Sequence, residues 1–303
     1  MSKHRTPWKY GAFVVLLLLV PVIFTRSSFL TMSTAVLMVL LAIGALGLVP
    51  LTGLAQQVSL GQAAFYGIGG YTSAILTTRH HVGVWWAMLA GAVVAGGVAW
   101  LLGLIIFRVQ GHYLALATLA FGLTLAALAN ELPFTGRSAG IAGLPPLHGG
   151  DLGTYYLFAG ILLAAMIGVD LLIHSRLGKS LTAAGDSPIA AAASGIDIGV
   201  LRRTAFVVAA VLASVAGSGY AHWYRFVDPS MLGLLNSVEL LIIVSVGGRD
   251  RVWGAPLGAF VVISLTQVAK DQVGGGSELT AYGIALIVSL LLLPHGLAGW
   301  RRR

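Results

Sequence analysis

Residues 27–78 read SSFLTMSTAVLMVLLAIGALGLVPLTGLAQQVSLGQAAFYGIGGYTSAILTT, without one charged side chain between Arg26 and Arg79. As one continuous helix this run would be about 78 Å long at ~1.5 Å per residue, more than twice the hydrocarbon core of a bilayer. It must therefore turn. Pro50 to Gly53 supplies the turn, which splits the run into two spans. The rest of the chain repeats this pattern.

On either side of this run and within it, apolar segments fall at about 10–25, 30–49, 58–78, 85–107, 112–130, 155–174, 204–224, 235–248, 253–269 and 279–294. The expected fold is an all-α polytopic membrane protein of eight to ten spans, some of them discontinuous or re-entrant. Segments four and five are separated only by Arg108 to Gly111, which leaves a re-entrant hairpin open. Segment eight is short enough to dip without crossing. Charged residues make up 9% of the chain, against about 25% in soluble domains. That composition argues against a soluble enzyme. Cysteine is absent, which removes disulfides, thiolate metal sites and cysteine nucleophiles. The +8 net charge is scattered between apolar runs, as at membrane flanks and not as on a nucleic-acid-binding face.

With ten crossings and the N-terminus inside, 13 of the 18 basic residues lie on the cytoplasmic side and 5 outside. Basic residues set orientation, so both termini are expected in the cytoplasm. Lys3, Arg5 and Lys9 precede an apolar run, as in a signal peptide, but Phe24 to Ser28 offers no small-x-small cleavage site. The run reads as a first membrane helix. The whole chain, 1–303, reads as a single transmembrane domain whose longest hydrophilic loop is 175–203, on the cytoplasmic side.

Motifs for bond chemistry fail on inspection. Gly178-Lys179-Ser180 resembles the end of a P-loop, but Ile173 stands where the first glycine is needed. Any ATP hydrolysis must then come from another chain. Ser218 and His222 suggest a serine nucleophile with its base, yet they lie on one helix without a complete motif. The eight histidines are dispersed without metal-ligand spacing. No catalytic residue, metal or cofactor is expected.

Two stretches interrupt the apolar pattern. Gln56, Gln57, Ser59 and Gln62 enter a would-be span together with several glycines. Polar groups and irregular backbone at membrane depth are tolerated where they line a cavity or are buried in protein. These residues read as a discontinuous helix beside a translocation path, or as hydrogen-bonding glue between helices. Glu239 stands inside an apolar segment, where an ionisable residue signals a path or a helix clamp. Small residues recur at Ala209, Ala213, Gly217 and Ala221, and Gly254 and Gly258 form a GxxxG. Both read as close helix packing. In the cytoplasmic loop, Ser187 suits an N-cap, Pro188 the first helical position and Gly195 the position past the end. The short helix between them, with Ile189, Ala190, Ala191 and Ala193, would be marginal alone. It reads as a piece docked onto something, or as a connecting turn.

Several of these motifs resemble the permease subunits of branched-chain amino-acid ABC importers of the LivM type, over residues 36–295. They are Gly53 to Tyr71, Tyr113 to Ala120, Thr135 to Pro145, Ser175 to Leu181 with Gly195-Ile196, and Ser237-x-Glu239 to Gly248, in that order. The resemblance implies several partners: a second, homologous permease subunit, two P-loop ATPase subunits and an extracytoplasmic substrate-binding protein. It also implies that the short loop helix (Ser187, Pro188, Ile189, Ala190, Ala191, Ala193, Gly195) couples the chain to the ATPase. The chain departs from the family pattern at Gln56-Gln57, at Gln62 where histidine is frequent, and at Arg249-Asp250-Arg251. The expected function is translocation of a branched-chain or related amino acid by ATP-driven alternating access across a bacterial inner membrane. Permeases for urea or short amides belong to the same family, and they are the first alternative. An ion-coupled secondary transporter is the second.

Overall fold

The computed structural model describes residues 7–24, 31–107, 112–147 and 149–273, with Gly283 and Leu297. Among the described residues its architecture is helical apart from one ribbon of two two-residue strands. Nine apolar helices follow the predicted segments: α1 Pro7–Phe24, α2 Met32–Leu46, α3 Gln62–Arg79, α4 Val84–Ile106, α5 His112–Glu131, α6 Gly150–His174, α9 Ile198–Tyr224, α10 Leu234–Gly247 and α11 Gly254–Val273. Between α6 and α9 come α7 Arg176–Asp186 and α8 Pro188–Ala193. By length and composition α4, α6, α9 and residues Tyr113–Glu131 of α5 can each cross a membrane. Segments four and five are each long enough to span on their own. The tenth segment, 279–294, falls outside the described residues apart from Gly283.

Capping residues set several boundaries. The Thr31 hydroxyl accepts the Thr34 amide at 3.3 Å and starts α2. The Asp197 carboxylate accepts the Val200 amide at 3.0 Å, so α9 begins six residues before the predicted apolar segment. Ser175 and Ser187 cap α7 and α8 in the same way. Each cap satisfies a first-turn amide that the helix itself cannot.

The long α9 is the axis of the bundle. Helices α3 and α4 pack along one side of it, α2 and α6 along another, and the α10–α11 pair closes against α2. Helix α5 leans on α3 and on the short turn Pro229–Leu232. The predicted small-residue stripe, Ala209, Ala213, Gly217 and Ala221, is fully buried. At Gly217 an added β-carbon would collide with the Tyr66 carbonyl, and at Gly258 with the Ile243 carbonyl. In lipid no hydrophobic force drives helices together, so this backbone approach supplies the dispersion contact that does. Trp86, Leu89, Val93 and Trp100 lie on the opposite face of α4, all at least half exposed, and helical spacing gathers them into an exposed apolar stripe.

Two local features were not anticipated. One is α7, which together with α8 makes most of the predicted loop helical. The other is the ribbon β1 Ile141–Ala142 with β2 Phe226–Val227, which pairs antiparallel with Ile141 opposite Val227. It ties the 132–149 segment to the end of α9.

Candidate functional site

The break predicted before α3 is present. A π-helical turn, Val49–Leu54, follows α2, and residues 56–59 are non-helical before α3 opens at Gln62. Gly53, Ser59 and Gly61 weaken helix here, and Gln56 takes a positive φ of 51°. Nearby side chains satisfy the freed amides: the Leu60 amide donates to the Thr118 hydroxyl at 3.0 Å, and the Ala63 amide to the Ser237 hydroxyl at 2.9 Å. Backbone without helix thus survives inside the bundle because α5 and α10 each lend it a hydroxyl. Thr118 and Ser237 entered the sequence reading only within longer motifs, and their role as acceptors depends on pairings 58 and 174 residues apart.

The five path candidates fall into two groups. Gln57, Ser59, Gln62 and Glu239 are buried, whereas Gln56 is exposed. The Gln62 amide nitrogen donates to the Ala209 carbonyl at 2.7 Å, which clamps α3 to α9. Its Oε1 is buried without a partner. The Gln57 amide nitrogen donates to the carbonyls of Ala55 and Gln56. The Ser59 hydroxyl accepts the Gly61 amide at 3.4 Å. Glu239 lies within electrostatic reach of the Tyr66 and Tyr220 phenols, whose rings are 5.9 Å apart. The result is a buried polar seam where α3, α9 and α10 meet.

Gln56 does something different. Its amide nitrogen donates to the Asp186 carboxylate at 3.2 Å, at the last residue of α7. One residue earlier, Gly185 sits so close to the Leu54 carbonyl that a β-carbon would not fit. The broken segment is thereby fixed to the 175–203 loop. No local pattern shows this pairing, since the two residues are 130 positions apart.

In the loop, α8 packs Ala191 inward at 4% exposure and turns Ile189 outward at 86%. Ala190 and Ala193 are exposed on the same short helix, and Gly195 has the positive φ of 78° expected past its end. Ser187 and Pro188 hold the first turn as read from sequence.

At the other end of α9, His222 is fully buried. It bonds Ser73 at 2.7 Å through Nε2 and the Pro145 carbonyl at 3.0 Å through Nδ1. A carbonyl only accepts, so Nδ1 carries the proton, and in the neutral ring the Ser73 hydroxyl donates to Nε2. Ser218, the serine considered beside His222 in the sequence, makes no hydrogen bond through its buried hydroxyl. Both Ser73 and His222 are closed to any substrate, so this pair is a structural tie.

A family model described as "Branched-chain amino acid transport system / permease component" matches residues 30–293. The high-affinity branched-chain amino acid transport system permease protein LivM of Escherichia coli (strain K12) is 26% identical over 88% of this chain and 69% of its own length. The Salmonella typhimurium LivM is 26% identical over 83% of this chain and 66% of its own. The chain thus spans about two thirds of the length of these LivM relatives. The E. coli LivH permease protein is 23% identical over 85% of this chain and 91% of its own length. With a match over most of its length, this multi-pass membrane chain belongs to the family of branched-chain amino acid transport permease components.

Proposed function

We propose that this chain is the membrane-spanning permease subunit of an ABC importer in a bacterial inner membrane. It translocates a branched-chain or related amino acid by alternating access, with ATP hydrolysed on partner subunits. One observation carries the reading. The polar seam at the start of α3 and the cytoplasmic loop are joined through Gln56 and Asp186. A push on the loop therefore has a short physical route to the seam. Gln57, Ser59, Gln62 and Glu239 supply the polar groups that a zwitterion would meet on its way. Gln56 transmits motion to them from α7 and α8.

The exposed face of α8 suits an ATPase partner. Ile189 is a large apolar side chain held out from a six-residue helix, followed by alanines that allow close approach. The partners under this reading are two P-loop ATPase subunits, a second homologous permease subunit and an extracytoplasmic binding protein that delivers the substrate.

The test is uptake of radiolabelled leucine into proteoliposomes that hold the chain with its second permease and ATPases, with binding protein supplied. Uptake should require ATP and the binding protein. Uptake by the chain alone, driven by a proton or sodium gradient, would replace this reading with a secondary transporter. ATP-dependent uptake of urea or a short amide but not leucine would keep the mechanism and change the substrate.

A further inference from the structure

Arg203 lies in the groove between α9 and α4. Its Cγ stands 2.8 Å from where a β-carbon of Gly103 would be, so the stem fills room the glycine leaves open. Its guanidinium carbon lies 5.8 Å from the centre of the Trp100 ring. Trp100 is 50% exposed, and Leu101, Leu104 and Ile105 beside it are exposed as well. The charge therefore borders an exposed apolar face of α4, as a helix in contact with lipid presents. Trp100 is six residues before Ile106, the end of α4, which places the ring about 9 Å in from that end.

Among the described residues no carboxylate pairs with Arg203. The Arg203 Nε is buried without an acceptor. A guanidinium held beside hydrocarbon is costly unless something neutralises it. The Trp100 ring face attracts it only weakly and accepts no directed hydrogen bond. Arginine at such a level extends toward the headgroups, and its planar fork matches two oxygens of a phosphate. The side is also apt. Arg203 follows directly from the loop that carries α7 and α8, and the cytoplasmic leaflet is the anionic one. Further along α4, Val93 and Val94 are exposed, and no atom lies within 4 Å of a β-carbon added at Gly97. An acyl chain has a shallow apolar track there.

We propose that Arg203, with Trp100 and Gly103, binds the phosphate of an anionic phospholipid in the leaflet on the loop side of the protein. The experiment is native mass spectrometry of the full chain in mild detergent, with phosphatidylglycerol and phosphatidylcholine supplied together. The wild-type chain should retain phosphatidylglycerol several-fold over phosphatidylcholine. Arg203→Gln should bring the ratio close to one. Lys179→Gln makes the same charge change on exposed α7 and should leave the ratio as in wild type. Trp100→Leu keeps an apolar side chain and should lower the preference partway; it decides the matter if Arg203→Gln fails to give a monodisperse protein. A wild-type ratio in Arg203→Gln, or in Trp100→Leu in its place, overturns the proposal. So does displacement of phosphatidylglycerol by inorganic phosphate, which would make this a free-anion site.

Discussion

Glu239 is 8% exposed on α10, with the Tyr66 and Tyr220 phenols within electrostatic reach. A carboxylate so placed either serves a moving substrate or only holds helices, and the two roles separate on substitution. Glu239→Gln keeps the shape and removes the ionisable group, so assembly should persist while uptake falls about tenfold, equivalent to ~1.4 kcal/mol. Glu239→Leu leaves its neighbours unpaired as well and should fall further. Uptake at the wild-type rate in both variants would leave Glu239 without a transport role. His222 makes a different claim. It joins α3 to α9 through Ser73 and holds the 143–147 segment through Pro145. His222→Ala removes both bonds and opens a cavity, so unfolding in detergent should become easier by about 2–4 kcal/mol. Ser73→Ala should cost only about 1 kcal/mol. Equal effects would mean that neither the Pro145 bond nor the packing of the ring contributes. Sequence reading named Glu239 and the glutamines because polar residues stand out against an apolar background. It could not see Ser73 with His222 or Gln56 with Asp186, since those pairings depend on how separate helices cross.

At the scale of elements, the α3–α9 contact rests on backbone approach. Gly217 meets the Tyr66 carbonyl with no room for a β-carbon, while Gly160 on α6 has nothing within 4 Å. Gly217→Leu should therefore push the two helices apart, cost about 3 kcal/mol or more, and lower the amount of folded protein. Gly160→Leu should be neutral within about 1 kcal/mol, apart from the gain in helix propensity. Thermal unfolding of the purified variants checks both, and similar midpoints would show that the crossing tolerates a side chain. The apolar helices were legible because hydrophobic runs of span length have few other solutions in a bilayer. Helix α9 starts earlier than its apolar run because Asp197 caps it. Helix α7 was missed because Arg176, Lys179 and Asp186 gave the loop the composition of a connector. The β1–β2 ribbon was missed because two-residue strands leave no periodicity to read.

For the whole molecule, the proposal places α8 and the Gln56–Asp186 contact on the cytoplasmic face, and β1, β2 and the 132–149 segment on the other. The chain has no cysteine, so single cysteines report without background. Ser187→Cys should react with an impermeant maleimide only when the cytoplasmic face is open, and Ser138→Cys only from outside. Labelling of both from one side would contradict the frame. Under the proposed function, ATP-driven motion enters through α8. Ile189 and Ala190 face outward, so they are free to seat in a partner, while Ala191 packs on the chain itself. The most direct measurement is ATP-dependent leucine uptake and ATPase association with Ile189→Asp and Ala190→Arg in the reconstituted transporter. A charge buried unpaired in that interface is expensive. Both variants should insert and fold like the wild type yet lose at least about 90% of uptake together with ATPase association, a loss of ~1.4 kcal/mol or more. Uptake at the wild-type rate in both, with the ATPases still associated, would contradict the account.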